Sequence, residues 1–212
     1  KRLAQRLRIS SIDRKQDVFR IQLSADSDID PEALVRKIQA GNIKAEAVIV
    51  ISNRPEARAL ERARDLGVPT AVVSHKDHET REAFDDALAQ CLDLHKIDLI
   101  VLAGFMRVLT EGFVKKYWGR IVNIHPALLP AFPGAHAIKD AWDAKVRETG
   151  VTVHFVDCGV DTGKIILQRK VPVLPQDTLE TLETRIHSVE YEVYPEALNL
   201  VLSGKAAPSR KG

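Results

Sequence analysis

Apolar and polar positions follow two alternating patterns along the chain from residue 45 onward. Continuous apolar runs at residues 47–52 and 98–103 are typical of strands that are covered on both faces. Between such runs lie longer segments with apolar residues at helical spacing, as in residues 80–94. Strands that alternate with helices indicate βαβ units, so we predict an α/β fold built on a parallel sheet.

Local signals set the limits of the predicted elements. Thr80 is suited to be the N-cap of the helix over residues 80–94, and Gly67 is suited to end a helix over residues 55–66. Further strands are expected at residues 18–23, 70–74, 120–124, 151–156 and 165–173, and further helices from residue 30, at 137–148 and at 178–202.

Composition narrows the class of protein. The 212 residues, of which 45% are hydrophobic and 28% charged, suit one globular domain over residues 1–212 and exclude a disordered chain. Two cysteines are too few for a disulfide framework. No apolar run approaches the roughly 18 residues that span a bilayer, and no secretory signal is visible. We therefore expect a cytoplasmic protein with no membrane partner.

Charge is concentrated at the amino terminus. Residues 1–20 hold seven bases against two acids, although the whole chain carries a net charge of only +2. This basic arm lacks the interleaved aromatic residues that nucleic-acid-binding segments carry, so we expect a solvated arm and no nucleic-acid partner. We treat residues 1–30 as an irregular basic segment that precedes the body of the fold.

Two polar side chains stand at the end of one predicted strand. Asn123 and His125 are two residues apart, so an extended backbone directs both side chains to the same side. An asparagine amide can donate a hydrogen bond to a developing oxyanion, and a histidine can act as a charged donor or as an acid or base. The alternative is a structural histidine that is hydrogen-bonded by backbone.

A second polar group follows the strand that contains His154. Asp157 and Asp161 lie there in a loop with Gly159 and Gly163. A carboxylate that returned to His125 would favour the charged imidazolium form of that side chain. Each aspartate taken alone is also compatible with ordinary turn chemistry.

Three motifs now resemble a known family. They are the segments 103–109 (AGFMRVL), 123–130 (NIHPALLP) with 132–134 (FPG), and 152–156 (TVHFV) leading to 160–163 (VDTG). Over residues 33–202 the chain resembles the 10-formyltetrahydrofolate-dependent formyltransferases, most closely those that act on glycinamide ribonucleotide in purine biosynthesis. The resemblance implies a Rossmann-like fold with a mostly parallel central sheet and helices on both faces. It implies formyl transfer from 10-formyltetrahydrofolate to the ribonucleotide amine, without a metal.

The resemblance also implies the site residues. It gives Asn123, His125 and Asp161 as the catalytic set, with His154 nearby. Folate contacts are implied at Arg81, Met106, Arg107, Val108 and Leu109 and in the loop from Asp157 to Asp161, and ribonucleotide contacts at His187 and Glu190.

One segment departs from the family pattern. The family carries a glycine-rich turn whose amides hold the substrate phosphate, but here residues 26–30 read Asp-Ser-Asp-Ile-Asp. Three carboxylates repel a phosphate, and Ser27 is the remaining candidate contact. This departure leaves two alternatives open: a 10-formyltetrahydrofolate hydrolase, and a folate-binding homologue without turnover. Lys164 replaces a family proline and is interpreted as a surface change, and the sequence permits a monomer or a homodimer.

Overall fold

The computed structural model describes residues 19–25 and 32–209. Seven strands and six α-helices lie in that part of the chain. In order they are β1 (Phe19–Ala25), α1 (Glu32–Gln39), β2 (Ala45–Ser52), α2 (Arg58–Asp65), β3 (Thr70–Val72), α3 (Arg81–Leu94), β4 (Leu99–Ala103), α4 (Glu111–Lys116), β5 (Ile121–His125), α5 (Ala137–Asp143), β6 (Glu148–Phe155), β7 (Ile165–Pro172) and α6 (Leu179–Leu202). Residues 1–18 of the basic arm and the acidic segment 26–30, including Ser27, lie outside the described residues. Residues 19–25, which the sequence analysis included in an irregular segment over residues 1–30, form the strand β1.

The strands form one sheet in the order β3-β2-β1-β4-β5-β6-β7. Strands β1 to β5 pair in parallel, whereas β6 is antiparallel to β5 and β7 is antiparallel to β6. This confirms the predicted α/β class and the mostly parallel sheet. The order reverses direction between β1 and β4, and crevices beyond the carboxyl ends of strands at such a point are where α/β folds bind ligands.

Helices cover both faces of the sheet, as predicted. Along β4, Leu99, Val101 and Ala103 pack into one buried cluster with residues of α1, α2 and α6. The intervening residues Ile100 and Leu102 pack into a second cluster with residues of α3 and α4. Because successive side chains of a strand point to opposite faces, a continuous apolar run is what a doubly covered strand requires.

Capping residues begin the helices where the sequence indicates. The Thr80 hydroxyl accepts a hydrogen bond from the Ala83 amide at 3.1 Å, so Thr80 is the N-cap of α3. Thr178 likewise caps α6 and forms a capping box with Thr181. Gly67, with φ +73°, follows α2. The predicted starts of α3 and α6 are confirmed.

The predicted helix over residues 137–148 was too long. Helix α5 ends at Asp143, Lys145 adopts a positive φ of 51°, and Glu148 is already the first residue of β6. Glu148 pairs with Pro172 on β7. Pairing between strands therefore overrides the local sequence pattern, which predicted a helix for this residue.

Helix α6 packs against the sheet and is hydrogen-bonded to two of its central strands. The buried Tyr194 hydroxyl donates to the Leu102 carbonyl on β4 at 2.6 Å and lies 3.1 Å from the Val122 carbonyl on β5. These contacts bring α6 to the two strands whose carboxyl ends carry the candidate chemistry. Within the described part of the chain, no helix is long and apolar enough to cross a membrane.

Candidate active site

A cavity of about 350 Å³ opens beyond the carboxyl ends of β4 and β5. Its walls come from the segment 104–109 after β4, from the end of β5, and from the loop between β6 and β7. Its volume falls within the range of about 300 to 1,000 Å³ that is common for small-molecule sites. The cavity therefore lies at the carboxyl edge of the parallel sheet and adjoins β4, one of the two strands at the reversal of strand order.

The three side chains predicted as catalytic all line this cavity. Asn123 and His125 come from β5, and Asp161 comes from the β6–β7 loop. The His125 Nδ1 atom lies 3.4 Å from Asp161 Oδ2, although 36 residues separate the two in sequence. The loop between β6 and β7 therefore returns to the end of β5 and brings a carboxylate to His125.

Both ring nitrogens of the buried His125 face oxygen atoms. Nδ1 faces the Asp161 carboxylate, and Nε2 lies 2.8 Å from the Phe132 carbonyl oxygen. A neutral imidazole has a single N–H and can donate to only one of these acceptors. Each ring nitrogen of His125 therefore has an oxygen atom within reach, and only a ring with a proton on both nitrogens can donate to both.

Asp161 is held from three sides. Its Oδ2 accepts a hydrogen bond from the Gly134 amide at 2.8 Å, and its Oδ1 lies 3.6 Å from His154 Nε2. Burial opposes ionisation of this carboxyl group, but the hydrogen bonds from His154 and Gly134 and the charge on His125 together hold its pKa below the ordinary value. Asp161 is therefore an anion at neutral pH.

His154 connects the asparagine to the aspartate. Its Nε2 lies 3.4 Å from the Asn123 side-chain nitrogen, and its Nδ1 lies 2.9 Å from the Phe155 carbonyl oxygen. The side chain is almost completely buried. His154 thus lies beside the predicted catalytic set, in contact with two of its members.

Buried polar contacts position the loop that follows β5. The Thr152 hydroxyl on β6 donates to the Ala127 carbonyl at 2.6 Å and accepts from the Leu129 amide at 3.1 Å. Gln168 on β7 donates to the Leu129 carbonyl and to the Thr152 hydroxyl. The two antiparallel strands therefore fix the loop that carries Phe132 and Gly134 against His125 and Asp161.

One wall of the cavity is apolar and exposed. Met106, Arg107, Val108 and Leu109, which the resemblance implies as folate contacts, line the cavity together with Asp157 and Val160 of the β6–β7 loop. The side chains of Met106, Val108 and Val160 are 57%, 53% and 51% exposed. Exposed apolar side chains around one cavity indicate a surface that a ligand covers.

Other predicted residues lie at the margin of the cavity or away from it. His187 on α6 lines the cavity, and its Nδ1 lies 2.7 Å from Oε2 of Glu190, which does not line it. Glu190 is buried, and its Oε1 makes no hydrogen bond to any described residue. Arg81, the exposed first residue of α3, does not line the cavity.

Two functional groups of this site escaped the sequence analysis. The Phe132 carbonyl and the Gly134 amide hold His125 and Asp161, and both are main-chain groups. Any residue type supplies such groups, so the only available signal was the Phe-Pro-Gly segment itself. Among the described residues, no group of three or more His, Cys, Asp and Glu side chains has an arrangement suited to a metal ion.

Comparison with known proteins places this geometry in a family. A family model described as formyl transferase matches residues 22–198. Phosphoribosylglycinamide formyltransferase of Bacillus subtilis is 42% identical over 171 residues, which cover 81% of this chain and 88% of that protein. The trifunctional purine biosynthetic protein adenosine-3 of Drosophila melanogaster is 50% identical over 167 residues, but the chain spans only 12% of its length.

Solved structures agree in fold as well as in sequence. Glycinamide ribonucleotide transformylase 1 from Geobacillus kaustophilus superposes with a TM-score of 0.84 at 43% identity, covering 87% of this chain and 99% of that one. Phosphoribosylglycinamide formyltransferase from Bacillus halodurans gives the same TM-score at 42% identity, covering 88% and 97%. With the family match extending over most of its length, the chain belongs to the formyl transferase family.

Proposed function

We propose that this chain transfers the formyl group of 10-formyltetrahydrofolate to the amine of glycinamide ribonucleotide, a step of purine biosynthesis. The observation that carries the proposal is the convergence of Asn123, His125 and Asp161 on one cavity of ligand size. The family match and the relatives named for this reaction support it. The predicted cytoplasmic location and monomeric or homodimeric state stay predictions of the sequence.

The reaction passes through a tetrahedral intermediate. The amine lone pair attacks the formyl carbon, a C–N bond forms, and the carbonyl electrons move onto oxygen. The carbonyl then re-forms, the bond from carbon to N10 of the folate breaks, and the proton lost by the amine neutralises N10. The two demands on the protein are to stabilise a transient oxyanion and to move one proton.

The proposed catalytic residues meet these demands in different ways. The Asn123 amide donates a hydrogen bond to the oxyanion, and the positive charge of His125 stabilises it electrostatically. Asp161 keeps His125 charged and directs a water molecule that carries the proton. The contacts of His125 with Asp161 and Phe132 support this assignment, because each places an oxygen atom opposite one ring nitrogen.

The two substrates occupy different walls of the cavity in this proposal. The folate ring lies against the segment from Met106 to Leu109 and against the loop from Asp157 to Asp161, where exposed apolar side chains support the assignment. The ribonucleotide lies near His187, which lines the cavity and lies 2.7 Å from Oε2 of the buried Glu190. Glu190 stays a predicted ribonucleotide contact. Arg81 stays a predicted folate contact at the rim, and Ser27 stays a predicted phosphate contact.

The proposal is tested by mixing the chain with 10-formyltetrahydrofolate and measuring tetrahydrofolate release with and without glycinamide ribonucleotide. We expect release that depends on the ribonucleotide. Equal release in both mixtures would assign a hydrolase, with water as the acceptor. No release in either mixture would assign a folate-binding protein without turnover and would locate the defect in the acidic segment 26–30.

The His125→Ala variant is the blank in this experiment. Loss of one group that stabilises an oxyanion typically lowers the rate by about 10²- to 10³-fold. A release rate that is unchanged in His125→Ala would mean that the observed turnover comes from a contaminating enzyme or from another site.

A further inference from the structure

The loop that carries Asp161 is closed tightly at its base. The Phe155 amide donates to the Lys164 carbonyl at 2.9 Å, which joins the two ends of the β6–β7 connection. Gly163 lies so close to this base that a Cβ atom there would be 1.7 Å from the Phe155 carbonyl oxygen. Between these points Asp161 adopts a left-handed backbone with φ 55°, which is unfavourable for a residue with a side chain.

A second set of contacts crosses the loop. The Thr162 hydroxyl donates to Asp157 Oδ1 at 2.7 Å, and the Gly159 amide donates to the same oxygen at 3.0 Å. A Cβ atom on Gly159 would lie 2.0 Å from Thr162 Oγ1, so this close approach requires a glycine. Thr162, the residue directly after Asp161, is therefore hydrogen-bonded to Asp157 at the start of the loop.

These cross-loop contacts involve none of the three proposed catalytic side chains. Thr162 is exposed and does not line the cavity, whereas Asp161 directs its carboxylate to Gly134, His125 and His154. A residue in a strained backbone conformation keeps that conformation only when its surroundings hold it there. The hydrogen bonds of Thr162 and Gly159 to Asp157 supply this restraint within the loop.

We propose that Thr162 and Asp157 are positioning residues, which hold Asp161 in the left-handed conformation that places its carboxylate against His125. The proposal assigns the Asp157 side chain to the loop itself, so that the folate meets the main chain of the loop rather than this carboxylate. Its kinetic consequence rests on the proposed formyl transfer, but its structural consequence, a displaced Asp161, does not.

The first test separates positioning from a contact with substrate. Thr162→Ala should lower kcat by about fivefold with both substrates saturating, which corresponds to the loss of one hydrogen bond of about 1 kcal/mol. Thr162→Ser keeps the hydroxyl, so it should retain kcat within about twofold. A rise in KM for 10-formyltetrahydrofolate with unchanged kcat would overturn the proposal, because the pair would then only shape the folate wall.

The matched control is Thr181→Ala. The Thr181 hydroxyl also donates to an aspartate, Asp177 Oδ1 at 3.1 Å, but it lies in the first turn of α6 and does not line the cavity. We expect its kcat to equal that of the unsubstituted chain. An equal loss of kcat in both threonine variants would show a general effect of stability and would contradict the proposal.

A double-variant cycle tests whether Thr162 acts through Asp161. In an Asp161→Asn background, Thr162→Ala should cause no further loss of kcat, because the group that it positions is already gone. A fivefold loss in both backgrounds would show that Thr162 acts independently of Asp161 and would overturn the proposal.

Nuclear magnetic resonance of the ligand-free chain gives a readout that does not need turnover. The ¹⁵N shifts of the His125 ring should change in Thr162→Ala in the same direction as in Asp161→Asn, and should be unchanged in Thr162→Ser and Thr181→Ala. Unchanged shifts in Thr162→Ala would reject the positioning role. If these shifts change but the unsubstituted chain releases no tetrahydrofolate, the proposed function fails and the positioning role stands.

Discussion

Phe132 adopts a backbone conformation that its side chain does not favour. Its φ is 53°, in the left-handed region where a bulky residue is an outlier, and its carbonyl oxygen lies 2.8 Å from His125 Nε2. Asp161, the partner of the other ring nitrogen, has φ 55°. Both acceptors of His125 thus come from residues in the left-handed region, which is consistent with backbone strain that serves a functional site.

We therefore expect the conformation of residue 132, rather than its aromatic ring, to control activity. Phe132→Asn and Phe132→Val both remove the ring, but asparagine tolerates a left-handed backbone and the β-branched valine does not. Steady-state kinetics should give a kcat about five- to tenfold lower for the valine variant than for the asparagine variant, which corresponds to a backbone penalty of about 1 kcal/mol. Equal kcat values would mean that the Phe132 carbonyl does not orient His125.

The lowered pKa of Asp161 predicts that the stability of the fold depends on pH. Its pKa in the folded chain lies below the ordinary value of about 3.9, so its contribution to the free energy of unfolding is fully present above pH 4. That contribution is lost as the pH falls through the folded-state pKa. Urea unfolding should show a constant difference between the unsubstituted chain and Asp161→Asn from about pH 6 to pH 5, and a shrinking one below about pH 4. A difference that grew with acid would contradict the pKa shift.

At the scale of elements, the antiparallel pair β6 and β7 supplies the support for the site. Thr152 on β6 and Gln168 on β7 hold the loop after β5, and the connection between the two strands carries Asp161. The parallel strands β4 and β5 provide the floor of the cavity, but they do not position these two loops. A parallel sheet alone would leave His125 without its partners.

Two buried threonines of β6 allow a matched test of this support. Thr152→Val leaves the Leu129 amide without its acceptor and the Ala127 carbonyl without its donor, so we expect a loss of about 2 to 3 kcal/mol in the free energy of unfolding. Thr149, also buried, makes no hydrogen bond through its hydroxyl to any described residue. Thr149→Val should therefore be neutral or stabilising in the same denaturant titration, and an equal loss in both variants would refute the argument.

At the scale of the whole molecule, three of the exposed large apolar side chains among the described residues line the cavity where the folate is proposed to bind. Met106, Val108 and Val160 are all more than half exposed and line one cavity, whereas Leu94, 79% exposed at the end of α3, lies away from it. Burial of such side chains by a ligand stabilises the complex through the hydrophobic effect. The cavity therefore has the character of a binding surface before any substrate is present.

This distribution predicts how ligand binding stabilises the fold. At a concentration 100 times its dissociation constant, 10-formyltetrahydrofolate should raise the free energy of unfolding of the unsubstituted chain by about 2.7 kcal/mol. Thermal unfolding at the same ligand concentration should show a smaller gain for Val160→Gln and an unchanged gain for the control Leu94→Gln. An unchanged gain in Val160→Gln would remove Val160 from the folate wall.

Sequence patterns were sufficient for the sheet and most helices because their signals are local. Buried β-branched runs identify β2 and β4, and Thr80 and Thr178 act as N-caps through contacts with residues three positions away. Helix α5 was predicted too long because the strand pairing of Glu148 with Pro172 is a contact between distant residues. The motifs placed Asn123, His125 and Asp161 in one site by resemblance, without any distance between them.

The sequence by itself determined the fold class and the position of most elements, since these depend on residue type and short-range spacing. Its resemblance to the formyltransferases indicated the catalytic side chains that line the cavity. Only the tertiary structure decided how His125 is held. Its two acceptors are a carboxylate 36 residues away and a main-chain carbonyl that any residue type could provide. Such contacts form because β6 and β7 bring the loop after β5 and the β6–β7 loop together. No local sequence pattern predicts a contact between residues so far apart in the chain.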